Sequence, residues 1–96
     1  MNFTFRQLRL FLALVETGSV SAAAKKMHVT QPTASMQLKE ISASVGLPLY
    51  EVVGKKVFLT EVGESLAATA REITQSLASF EQLVSATQGI AKVNCE

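Results

Sequence analysis

Residues 20–46, VSAAAKKMHVTQPTASMQLKEISASVG, decide how this 96-residue chain folds. Their pattern predicts two short helices joined by a tight turn. The first covers residues 20–27, is rich in small residues and has Ser19 placed to cap it, and His28 and Val29 make the turn. Thr30 then caps a helix that begins at Gln31, with Pro32 in its first turn, where a missing N–H is harmless. At about 100° per residue, Ala34, Leu38, Ile41 and Val45 share one side of that helix. Pro32, Met36, Lys39 and Ala43 share the other, flanked by Thr33 and Ser35. A short helix anchored by one apolar stripe, with small hydrogen-bonding residues at its N-terminus, suits the major groove of DNA, which is helix-turn-helix geometry. Two helices and a short turn also occur in ordinary bundles, so the flanking segments carry the decision.

Upstream, Thr4 followed by Gln7 makes a capping box, and Leu8, Phe11, Leu12 and Val15 give the stripe of a first helix that Gly18 ends. Ala22, Ala23 and Ala24 permit close helix approach. Gly46, followed by Leu47 and Pro48, stops the third helix. Downstream, Leu49-Tyr50-Glu51-Val52 and Val57-Phe58-Leu59 predict a hairpin whose tip is Val53-Gly54-Lys55-Lys56. Strands this short cannot stand alone and must lie against the helices as a wing. Its lysines, Lys55 and Lys56, suit contact with phosphates or the minor groove.

Thr60 caps a long fourth helix, along which Leu66, Ala70, Ile73, Leu77, Phe80 and Val84 recur in alternating steps of four and three. About 25 helical residues reach roughly 38 Å, beyond the width of a 60-residue head. Much of the stripe is therefore expected to lie outside the head and to pair with a second copy of the chain. Gly89 marks the expected helix end. The chain divides into a head, residues 1–60, a linker and dimerisation helix, 61–89, and a tail or the start of an absent further domain, 90–96. The expected class is mainly α: a winged helix-turn-helix with a small β-hairpin wing and a long C-terminal helix.

Composition sets the exclusions. Apolar residues make up 48% of the chain, enough for one small core, yet no run approaches the length of a membrane span. No secretory signal is recognisable, so a cytoplasmic, nucleoid-associated protein is expected. The chain has one His, one Cys and no Asp. With Cys95 at the C-terminus and His28 alone, neither a disulfide nor a metal-ligand spacing arises, and no cofactor is expected. No acid–base pair, nucleophile constellation or Gly-rich phosphate loop can be assembled, which argues against an enzyme. Net charge is +1 overall. It is unevenly spread: seven basic against three acidic side chains in residues 1–60 give +4, and two against five in 61–96 give −3. A basic head on an acidic arm suits a polyanion at one end only.

Taken together, FRQLRLFLALVETGSVSAAAKKMHVTQPTASMQLKEI and LPLYEVVGKKVFLTEVGE resemble the N-terminal domain of LysR-type transcriptional regulators, over residues 3 to 90. TQPTAS is close to that family's Ser-Gln-Pro-x-x-Ser signature. SMQLK followed by GLPLYEVVGKK looks more like the branch that regulates Calvin-cycle carboxylase operons than like the family at large. The chain departs from the common pattern at Met36, where most members have Arg, at Ser42, where Glu is usual, and at Val52, where the wing begins with Arg. The resemblance implies sequence-specific binding of double-stranded DNA by a dimer on a two-fold related operator. Gln31, Pro32, Ser35 and Met36 would meet base edges. Thr30, Thr33, Gln37 and Lys39 would hold phosphates, and Lys55 and Lys56 would enter or flank the minor groove. It also implies a small-molecule effector domain following the long helix, so this chain reads as a DNA-binding fragment or truncated product, and full-length regulators assemble beyond the dimer. The alternative is a protein-interaction module that dimerises through the long helix. Against it, the open face of the third helix lacks the large aromatics typical of interface centres.

Overall fold

The computed structural model describes residues 2–87. Four helices and one hairpin follow in the order α1 (Phe5–Thr17), α2 (Val20–Lys26), α3 (Gln31–Val45), β1 (Tyr50–Val53), β2 (Lys56–Leu59) and α4 (Glu61–Thr87). The expected helix end at Gly89, the tail over 90–96 and Cys95 lie outside the described residues.

Helix α1 is the spine of the head. Thr4 caps it as expected: its hydroxyl accepts the Gln7 N–H at 3.1 Å, and the Gln7 side chain accepts the Thr4 N–H at 3.0 Å. The apolar stripe of Leu8, Phe11 and Leu12 is buried, but so are Leu10, Ala13 and Leu14. A helix enclosed on most sides needs more apolar positions than one stripe, because α2, α3, α4 and β2 all pack around it. Ala23 and Ala24 of α2, Ala34, Leu38 and Ile41 of α3, Leu49, and Ala67 and Ala70 of α4 complete the core.

The hairpin is antiparallel, with Tyr50 opposite Leu59 and Val53 opposite Lys56. Each strand reaches one residue nearer the turn than the sequence suggests, and β1 begins at Tyr50 rather than Leu49. The tip is thus Gly54 and Lys55 alone, with Gly54 at φ +65° in the first loop position, where a type II′ turn requires glycine. Leu49 is excluded from the strand because it is spent in the core, at 1% exposure. The wing is fastened to the head where the Val57 N–H donates to the Gly18 carbonyl at 3.3 Å.

Two ties fix the start of α4. The Thr60 N–H donates to Leu49 O at 3.0 Å, and the Thr60 hydroxyl donates to Pro48 O at 2.8 Å while accepting the Gly63 N–H at 3.0 Å. Gly63 sits so close to the backbone of Leu49 that a Cβ there would lie 1.9 Å from its carbonyl oxygen. From this root α4 leaves the head, and the molecule measures 50 × 24 × 20 Å.

Candidate nucleic-acid interface

The angle between α2 and α3 is set by a Schellman turn. The His28 N–H donates to Lys25 O at 3.1 Å and the Val29 N–H to Ala24 O at 2.9 Å, with His28 in the left-handed region at φ 60°. Helix α2 accordingly ends at Lys26 rather than Met27, which becomes its cap. Thr30 is extended, accepts the Thr33 N–H at 3.2 Å and donates its own proton to the Thr33 hydroxyl at 2.9 Å. Gln31 is drawn toward α2 by the Ser21 hydroxyl at 3.4 Å.

Around α3 the two faces separate as the sequence predicts. Ala34, Leu38 and Ile41 are buried, and Val45 is partly so. Gln31, Pro32, Thr33 and Lys39 are exposed, Ser35 is half-buried, and Met36 is 55% exposed. Met36 therefore projects outward and does not fill a gap against the wing or α2. Gln37 is placed differently: half-buried, it accepts a hydrogen bond from Gln7 of α1 at 2.7 Å. With Thr4, Arg6, Gln7, Val29 and Thr33 it lines a cleft of about 270 Å³ beside the α3 N-terminus.

Lys55 occupies the wing turn and Lys56 opens β2, both exposed. Lys25 and Lys39 are also exposed, whereas Lys26 pairs with Glu16 at the surface, a contact of little stabilising value. At the wing root, burial pushes the pKa of the Tyr50 phenol above its usual value. The expected seam of α4 divides in two. Ala70 is fully buried and Leu66 packs on the core, so both belong to the chain's own head. Ile73, Leu77, Phe80 and Val84 stay exposed, joined by Leu83 at 63%, which the four-three spacing does not select.

Three features go beyond what the sequence predicts: the left-handed His28, the close approach at Gly63, and the second role of Gln7. Of these, Gln7 alone has a visible signal. A capping box uses one end of its amide, and a Gln on the inner side of a helix must place the other.

A short helix held by its inner stripe, a preceding helix joined through a tight turn, and a fastened hairpin define a winged helix-turn-helix with an appended long helix. The description "Bacterial regulatory helix-turn-helix protein, lysR family" matches residues 5–64. The chain belongs to that family. It is 38% identical over 93 residues to the HTH-type transcriptional activator CmpR of a Synechocystis species, covering 97% of this chain and 31% of that protein. It is 37% identical over 92 residues to the RuBisCO operon transcriptional regulator of Allochromatium vinosum, covering 96% and 30%. The chain thus spans less than a third of either relative, and both are regulators of transcription by name. The likeness to carboxylase-operon regulators, expected from SMQLK and GLPLYEVVGKK, is reflected in the second. Among solved structures, the DNA complex of the CbnR DNA-binding domain superposes with a TM-score of 0.81 at 33% identity, covering 88% of this chain and 98% of that one. The complex of the BenM DNA-binding domain with benA site 1 DNA gives 0.76 at 32% identity, covering 93% and 97%.

Proposed function

We propose that this chain is the DNA-binding part of a LysR-type transcriptional regulator, acting as a homodimer on a two-fold related operator in the cytoplasm, in association with the nucleoid. The observation that carries this reading is the division of α3. Its apolar stripe is spent on the head, while Gln31, Pro32, Met36 and Lys39 are exposed on the opposite side. Such a helix fits the major groove with its N-terminal residues at base edges. Gln31 pairs with adenine through both ends of its amide, Ser35 serves either partner, and Pro32 and Met36 favour a thymine methyl. Thr33, Gln37 and Lys39 hold flanking phosphates, Thr30 joins them by re-aiming the hydroxyl proton that it gives to Thr33 in the free chain, and Lys55 with Lys56 reaches the minor groove from the wing. Two structural neighbours solved with DNA support the same docking. The seam of α4 beyond the head supports the dimer.

Selection from random duplexes tests the proposal, run on the wild type and on Met36→Arg. The wild type should return a two-fold motif with A·T-leaning half-sites. Met36→Arg should shift one position per half-site toward G, by about 1–3 kcal/mol if the contact is bidentate. Retention of an unchanged motif would take Met36 out of base readout. No enrichment at low salt would sink the DNA-binding reading itself.

A further inference from the structure

We infer that Gln7, on the helix behind the recognition helix, is a positioning residue for DNA: it turns the acceptor ends of two α3 side chains inward and leaves a donor facing the phosphates. The inference rests on the proposed DNA-binding role. Gln7 is 8% exposed and belongs to α1, the helix behind the DNA-facing surface. Its Oε1 accepts the Thr4 backbone N–H at 3.0 Å, which fixes which end of the amide is which. Nε2 must then point to α3, where it donates to Gln37 Oε1 at 2.7 Å and to Glu40 Oε1 at 3.0 Å.

The consequence follows from the donor and acceptor inventory. A carboxylate and an amide oxygen can only accept, and phosphate oxygens can only accept as well. Glu40 and the oxygen of Gln37 therefore repel a DNA backbone, while the amino end of Gln37 attracts it. Gln7 collects both acceptors on the α1 side. Among the described residues nothing in the chain accepts from Gln37 Nε2, and no buried polar side-chain atom lacks a partner, so that amino group faces solvent. Gln37 and Thr33 line the same cleft as Arg6, whose charge favours a phosphate there. A free Gln rotates its amide and offers either end. Gln7 removes that choice. The backbone N–H of Asn2 ties the same stripe of α3 one turn further on, donating to Ser44 Oγ at 2.8 Å, so the strap along α3 is continuous.

A double-substitution cycle tests this, with Gln7→Met keeping the side-chain length without its donors. Affinity for the selected operator and for unrelated duplex is measured on wild type, Gln7→Met, Gln37→Ala and the double variant. Each single change should weaken both kinds of binding by about three- to tenfold, with the salt slope unchanged because no charge is removed. The double variant should be no weaker than the weaker single. Losses that multiply, or a Gln7→Met protein that binds like wild type, would overturn the inference. Wild type failing to bind any duplex would instead refute the DNA-binding reading. Should Gln7→Met not fold, nitrogen-15 spectra of the wild type decide: the Gln37 amino protons should shift on adding duplex, and unmoved signals would overturn the assignment.

Discussion

The two halves of α4 invert the usual rule about which side chains are hidden. In the first half the buried residues are small: Gly63, Ala67 and Ala70 lie against the head. In the second half the apolar residues are large, yet Ile73, Leu77, Phe80, Leu83 and Val84 are all exposed. One sequence stripe thus serves two kinds of contact. Small residues let the helix backbone approach Leu49 and α1 closely, with α4 packed on both α1 and β2. The head leaves the large ones exposed, and their area becomes useful only against another surface. An unbroken four-three spacing marks where apolar residues stand and is silent on which partner each one meets.

The largest effect should come from disturbing the small-residue half. Gly63→Ala places a Cβ where the Leu49 carbonyl already is, and backbone on both sides leaves little room to yield. The expected loss is about 3 kcal/mol or more, read as a fall in the urea midpoint at fixed protein concentration. Ordinary stability in that variant would mean that α4 is free to lift off the head.

In the large-residue half, Leu77→Glu should leave the head folded and separate the two copies, because an unpaired carboxylate in an apolar seam costs several kcal/mol. Analytical ultracentrifugation at micromolar concentration should find a dimer for the wild type and a 10.3 kDa particle for the variant. A wild type that sediments as a monomer would remove the contrast between the halves. The smallest effect belongs to Leu83→Gln. Leu83 flanks the Phe80 and Val84 ridge rather than lying in it, so dimer dissociation should change by less than about fivefold. A loss matching that of Leu77→Glu would move the seam by a quarter turn.

Helix α3 and α4 also differ in how far their sequences reveal them. The inner stripe of α3, Ala34, Leu38 and Ile41, is legible because one face of a short helix meets one core. The caps at Thr4, Ser19 and Thr30 are equally legible, since each depends on residues three apart. Leu66 and Ala70 share the spacing of Ile73 and Leu77 and are expected in the dimer seam with them, yet they face the head, because spacing along a helix carries no information about where the head stops. Gly63 gives no sign in the sequence because its close approach depends on a segment fourteen residues earlier. The turn at His28 is legible, but its left-handed backbone, which disfavours a non-glycine residue by about 1–2 kcal/mol, emerges only once α2 and α3 are both docked. The Gln7, Gln37 and Glu40 cluster joins residues more than a full helix apart in the chain and has no periodic signature at all.

The root of α4 has a mechanical meaning. With Thr60 bonded to Pro48 and Leu49, and Gly63 pressed on the same carbonyl, no hinge separates wing from arm. The helix is a lever keyed into its shaft. An arm of about 40 Å tilted by roughly 5° sweeps its far end through some 3.5 Å, about one base-pair step along a DNA strand. A small rotation where two arms cross would therefore reappear as a change in reach between the two heads on the scale of one base-pair step.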